Sequence, residues 1–570
     1  MNVSLKHIFL IFSFVFLPVL PAASQIKKDQ DRVYYQLNYR PGDWITISAT
    51  RKTTSIAVGY KTAYIGTVGG ILRYDFTKKQ FDYPLTTSNG LLDNYVKVVA
   101  LDRQNDFLWV ATETGLQFYN PAAQQFTTAT YFQIGIGLDE EIHSIGFETG
   151  KIWLQTNKGY LSSANSLFSF VRDNLPETTV IVWHGIRAIP KGSLPHIFTD
   201  QESGFQFDDY EKVFTDNEFR KYPLTYYLFD HLGNLWIGTN GAGVWKANSI
   251  SFLAEPLSYG LAMEDVSAIG FDDITMWVGG SRKHVTVDPI VPIQSGITEW
   301  DQEKDKFIYH DSGFRSALRV QNVNCLMIDK ENVWIGTNEG LVRKIKSMDY
   351  WTTYGAYSGL YHPSVYSVAA EGRTIYIGTQ QGLNTAKPKE KDYIISKVEI
   401  PELFNIPIFK ILINDKKVWM GTGNGIYLLS LDKNVLSHFN AVGFNVNTTA
   451  FLDQQVRGIA EDSSNIYFAS ELSVIRYSKA TAIWESIPIN TQYLLAGIND
   501  AVCDEYNLWI ATNSGVLRYI KSKHKWIYYG TQDGLAGECV KKILIDGDYV
   551  WFGTNKGLTQ FFWNAPHLLE

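Results

Sequence analysis

Cysteine is nearly missing from this chain, with three in 570 residues. Cys325, Cys503 and Cys539 are an odd number without CxxC spacing, which excludes a disulfide framework and a thiolate metal site. All three fall in apolar, strand-like segments and read as small buried hydrophobes; a Cys503–Cys539 bridge between neighbouring repeats is the alternative. Charge is also sparse, at 19% of residues against about 25% in ordinary domains. No Lys/Arg run exceeds a doublet with its neighbours. With 51 basic and 58 acidic residues the net charge is −7, so the basic footprint of a nucleic-acid binder is lacking. Beyond the N-terminus no stretch reaches the ~18 apolar residues of a membrane span, so stable membrane insertion is not expected.

Catalytic signatures are missing too. There is no HExxH, no GxSxG, no P-loop and no GxGxxG in a phosphate-cradling context. The histidines are scattered. The adjacent carboxylates Glu140/Glu141 and Asp272/Asp273 would point to opposite faces of a strand, which suits no paired acid–base chemistry. The chain is therefore expected to be non-catalytic, without cofactor or metal. A secreted polysaccharide lyase or hydrolase, with groups such as His184 and His362 assembled from separate blades, is the alternative.

What is abundant is aromatic side chain and glycine: Trp 16, Tyr 33, Phe 32 and Gly 45. Proline is only 18. This composition excludes disorder, collagen and coiled coil and points to short aromatic strands punctuated by glycine. Residues 1–24 read as an export signal. Lys6 and His7 form a basic start, Ile8 to Leu20 an apolar stretch too short to span a bilayer, and Ala22 and Ser24 a small-residue cleavage site before Gln25. The expected destination is periplasm, cell surface or medium.

One phrase recurs about every 43 residues: aromatic, apolar, Gly/Ala, Thr, then Gly. It begins at Tyr64, Trp109, Trp153, Trp236, Trp277, Trp334, Tyr376, Trp419, Tyr467, Trp509 and Trp551. A degenerate copy starts at His196, giving twelve units. Trp334, Trp351, Leu360 and Tyr376 match Trp509, Trp526, Leu535 and Trp551 at one constant offset. Each unit has four strand-like runs, A to D, and four strands per unit is the signature of β-propeller blades. Asp329, Asp462, Asp504 and Asp546 stand five residues before their Trp or Tyr. They read as turn residues bonding their own backbone. The first Gly of the phrase should permit close approach of blades, and the second a turn with positive φ. The aromatic residue should pack between blades.

Propellers typically have 4–8 blades, so twelve units imply an all-β protein of two propellers. Six plus six is the simplest division, with residues 25–300 as the first propeller and 301–566 as the second; seven plus five is the alternative. The last unit lacks a D run, and the N-terminal run 43–48 is unassigned. That run is expected to complete a blade built by later chain, hiding a sheet edge. If it completes the last blade, the first propeller is nested inside the second.

The phrase W-[IV]-G-T-x-x-G-[LI], followed by W-x-x-Y and G-L, resembles the two-component regulator propeller repeat. The residues that carry the resemblance include Trp334–Leu341, Trp351–Tyr354, Gly359–Leu360, Trp526–Tyr529, Gly534–Leu535 and Trp551–Leu558, and it spans roughly 40–563. In that family such propellers form periplasmic sensor regions of hybrid two-component regulators in Bacteroidota-like bacteria, often for glycan breakdown products. Related double propellers occur in cell-surface and type IX secretion accessory proteins. The chain departs from the sensors in having no immunoglobulin-like segment, membrane span or histidine kinase signature. The resemblance therefore implies a fold and a binding tendency, with an oligosaccharide or a cell-envelope protein as partner. A sensor subunit acting through a separate membrane kinase is a further reading.

In a propeller the D–A and B–C loops share the face around the central channel, where a grafted site is sought. The residues read as entering strand A are Asn94, Glu140, Glu141, His184, Asp265, Asn322, His362, Gln455, Asn499 and Glu538, a mixed polar and acidic rim suited to sugar hydroxyls. The longest unit carries an insertion between strands B and C. Its basic cluster, Arg282, Lys283 and His284, would meet an anionic group such as a uronate or phosphate.

Overall fold

The computed structural model describes residues 39–568, apart from a few single positions and the stretches 165–167, 178–179, 186–193, 282–295, 312–321, 445–447, 452–453 and 490–496. Among the described residues there are strands and short 3-10 turns but no α-helix. Among the described residues the repeats build eleven blades: nine are four-stranded antiparallel sheets, and two are four antiparallel strands within sheets of five and seven strands. In the blade Val540–Asp546, Tyr549–Thr554 and Gly557–Phe562, the fourth strand is Trp44–Ile47 from the start of the chain, paired to the third from Trp44↔Phe561 to Ile47↔Leu558. The N-terminal strand thus completes the last blade.

Contacts between innermost strands close the larger of two rings and join the blades of the smaller one in series. The larger has seven blades, whose A strands begin at Asp265, Val323, Val365, Ile408, Val456, Ile498 and Val540; the last touches the first. The smaller is inserted between Ile47 and Asp265. It has four complete blades, with A strands Thr53–Val58, Val96–Asp102, Ile142–Glu148 and Lys221–Phe229. The unit at His196 does not make a four-stranded blade. It supplies the hairpin Phe205–Asp208/Val213–Asp216 and a two-residue strand, Phe198–Thr199, parallel to Leu253–Leu257. This unit carries His196 where every other unit has the Trp or Tyr of the phrase. An extra strand, Val182–Gly185, pairs with the inner edge of Ile142–Glu148 and lies against the A strands of the two preceding blades.

A boundary at residue 300 does not fit. It would cut Gly296–Asp301, the third strand of the blade spanning Asp265–Asp311. The repeat period is the same in both rings, so periodicity carries no mark of where one ring closes. The two chain crossings, near Ala49 and Leu261, run side by side in a parallel bridge. The Leu261 N–H donates to the Ser48 carbonyl at 2.9 Å. Arg51, 6% exposed, pairs with Asp311 of the larger ring at 2.6 Å and lies over Tyr309.

The phrase residues act as the spacing implied. Trp334 is fully buried, with its ring edge-on to Tyr393 of the next blade at 4.8 Å. Its indole N–H donates to Asp329 at 2.8 Å, and Trp236 and Tyr467 reach Asp230 and Asp462 in the same way. The Asp therefore ties the A–B turn to the aromatic as well as folding the turn. A Cβ on Gly336 would lie 2.8 Å from Val365 of the neighbouring blade, which explains the first glycine. Gly340, the second, has φ of 143°.

Candidate ligand site in the channel of the seven-bladed ring

Each A strand of the large ring carries a β-bulge one residue after its first Val or Ile, which opens the strand in six blades and follows Asp265 in the seventh. A bulge sets two residues against one on the partner strand and re-aims the extra side chain. The seven bulge residues are Ser267, Asn324, Tyr366, Phe409, Arg457, Asn499 and Lys541. All seven line one cavity of about 360 Å³ at the channel mouth. The bulges lie at the start of strand A, on the face shared by the D–A and B–C loops.

Three of the seven have a structural task. Ser267 Oγ donates to the Val323 carbonyl, Asn324 Nδ2 to Val365 at 3.0 Å and Asn499 Nδ2 to Val540 at 2.8 Å. In each case the acceptor opens the A strand of the next blade, so these bonds knit the ring. Thr54 does the same for Val96 in the small ring. The other four do something else. Tyr366 and Phe409 have ring centroids 5.6 Å apart. The Arg457 guanidinium lies 4.2 Å over Phe409 and donates from Nε and Nη2 to Gln455 Oε1. Lys541 Nζ is 2.7 Å from Asp265.

One residue deeper, the cavity is lined by Cys325, Ser367, Lys410, Asp500 and Lys542. Lys410 and Lys542 share Asp500, at 2.6 and 2.8 Å. The carboxylate is 3% exposed and each ammonium side chain 22%. Burial works against the Asp500 charge, but the two ammonium groups outweigh it and hold the carboxyl below the usual range. Burial, with Lys542 adding to it, pushes Lys410 down to about 8 despite Asp500. Burial pushes the Cys325 thiol up to about 12. Among the described residues the cavity lining thus holds four cationic side chains and one carboxylate, Asp500, with Lys541 also paired to Asp265 beside it.

The rim residues read from the sequence fall mostly just outside this ring. Asn499 is the one among them at a bulge. Asp265 and Gln455 serve as partners of Lys541 and Arg457. The backbone carbonyls of Asn94 and Glu538 accept the turn N–H groups of Gly70 and Gly515 in the preceding blade, at 2.7 and 2.6 Å. Asn322 exchanges bonds with Asn338, and His362 Nδ1 accepts from Ser364 N–H. Glu140 is buried against Arg172, which hydrogen-bonds it and lowers its pKa; the exposed Glu141 faces Lys97 at 3.6 Å. His184 belongs to the extra strand in the small ring and lines a separate cavity of about 590 Å³ with Phe147, Val182 and the A–B turns. The channel ring therefore combines cationic and aromatic side chains with neutral polar ones. The sequence reading was two to four residues early because it placed strand starts without the bulges. Arg282, Lys283 and His284 lie outside the described residues. The missed signal was a column: the variable residue after each strand's first Val or Ile.

Neither a protein-family model nor a curated protein matches the sequence. Solved structures do. PorZ, a surface component of the type IX secretion system of Porphyromonas gingivalis, aligns over 91% of this chain and 87% of its own, at 12% identity and a TM-score of 0.57. The chain shares the fold of PorZ. Extracellular domains of a hybrid two-component system and of a one-component system from B. thetaiotaomicron also align. They cover 91% and 90% of this chain and 77% and 76% of their own, at 16% and 15% identity and TM-scores of 0.42 and 0.44. The all-β, repeated-blade architecture expected from the sequence is thus the architecture found. Among the described residues no helix is long and apolar enough to cross a membrane.

Proposed function

We propose that this protein is an exported, non-catalytic binding module whose ligand, a glycan or a glycan-bearing envelope component, sits in the channel mouth of the seven-bladed ring. One observation carries the reading. At four of the seven positions of a ring otherwise used to bond blade to blade, Tyr366, Phe409, Arg457 and Lys541 bring side chains that do not bond the next blade's carbonyl. Aromatic faces and fixed donors in a small concavity are what sugar recognition uses. The one carboxylate lining this cavity, Asp500, is held between two lysines, which favours binding over acid–base chemistry. His184 and His362 stand in different rings, which weighs against a joint catalytic role. The PorZ fold and the export signal fit a place in the cell envelope. A glycan array with thermal-shift follow-up tests the reading, with Phe409→Ala as control. Binding lost in that variant is expected; silence across glycans with no co-purifying envelope partner, or binding indifferent to Phe409, refutes it.

A further inference from the structure

Resting on that reading of the site, we propose that the bound ligand is a saccharide whose terminal unit carries a carboxylate, seated between Arg457, Lys541 and the Lys410–Lys542 pair. The chain as a whole is acidic, at −7, yet this cavity concentrates positive charge. Lys410 and Lys542 have a single carboxylate between them, so one positive charge is left over. Arg457 is held by a neutral amide rather than by an acid. Cationic side chains this close repel, and in a partly dehydrated channel that repulsion is weakly screened. Burial, the larger cause, and Lys542 both lower the Lys410 pKa. An anion at the mouth relieves the repulsion.

The geometry favours a carboxylated sugar over a simple ion. Gln455 engages Nε and Nη2 of Arg457, which leaves Nη1 as an uncommitted donor among the described residues. A planar guanidinium fixed in this way suits a carboxylate. Phe409 and Tyr366 offer ring faces beside it for the apolar face of a pyranose. At about 360 Å³ the cavity is at the small end of ligand pockets, which fits a chain end rather than the middle of a polymer.

The test uses the full exported chain and two probes, trigalacturonate and its methyl ester, which removes the charge and keeps the sugar. Titration calorimetry is expected to show binding of the acid at least about tenfold tighter than the ester, the scale of one charged hydrogen bond. Arg457→Gln should weaken the acid by about tenfold or more and leave the ester unchanged, with Arg457→Lys intermediate. Phe409→Ala should weaken both. Thermal melts of each variant establish that it is folded. Equal binding of acid and ester, lost in Phe409→Ala, overturns the carboxylate and leaves the site standing. Binding unaffected by either substitution overturns the site. Competition by inorganic phosphate or sulfate at matched concentration shows a seat for bare charge and overturns the saccharide. No binding of either probe also overturns the proposal.

Discussion

Replacing Trp44 by alanine should open the seven-bladed ring at one seam. Trp44 is 3% exposed. It stacks on Phe561 with centroids 4.0 Å apart and touches Tyr39, Tyr529 and Phe552 within 6.2 Å. A side chain of this kind buries ~150–250 Å², worth about 4–6 kcal/mol at ~25 cal/mol per Å². Large-to-small aromatic substitutions in cores cost about 3–5 kcal/mol, and we expect that range here. The loss should be local. The strand Trp44–Ile47 is held to the last blade by four register pairs, and both rings lie in the chain between it and its partner Gly557–Phe562. Hydrogen exchange should therefore quicken first at the backbone amides of Gly557–Phe562, while the small ring keeps its protection. Gly534→Ala is an independent probe of the same seam. Its Cβ would fall 2.5 Å from the Trp44 ring, at a φ of 130°. If both variants leave exchange at Gly557–Phe562 unchanged, or loosen both rings equally, ring closure by the N-terminal strand is not what holds the blade.

Three further outcomes follow. Arg51→Met removes the buried partner of Asp311 at the ring junction; we expect about 3 kcal/mol of destabilisation, the low end for a broken buried pair, because Arg220 remains 3.8 Å away. Faster protease cleavage near residues 48–52 or 258–262 would register it, and unchanged cleavage would refute it. Iodoacetamide at mild alkaline pH should label Cys539 before Cys325 and Cys503, whose thiols burial pushes up to about 12; equal rates would contradict the burial assigned to Cys325. Asp500 has a depressed folded pKa, so it contributes stability that is present above the ~3.9 of an unfolded aspartate and lost as pH falls through the folded value. The stability gap between wild type and Asp500→Asn should therefore be widest near neutrality and shrink below about pH 4, as followed by melting curves; a gap independent of pH would count against the lysine–aspartate–lysine cluster.

The sequence by itself determined the blade. Aromatic, apolar, glycine and threonine at a fixed phase specify strand B, its turn and its neighbour, because each of these residues acts within one unit or across one seam. The Asp before each Trp is legible for the same reason. The candidate site was legible only in outline: the residues read from the sequence fall mostly two to four positions before the side chains that line the channel. Bulges shift the channel positions relative to strand starts, and no local propensity marks them. Tertiary structure alone decided three things. It assigned Trp44–Ile47 to the last blade, nested a four-bladed ring inside a seven-bladed one, and brought Lys410, Arg457, Asp500 and Lys542 into one channel from four separate blades. All three depend on closure. A ring closes through its first and last members, and the energy of that closure resides in contacts between residues hundreds of positions apart, which a repeating sequence does not encode locally.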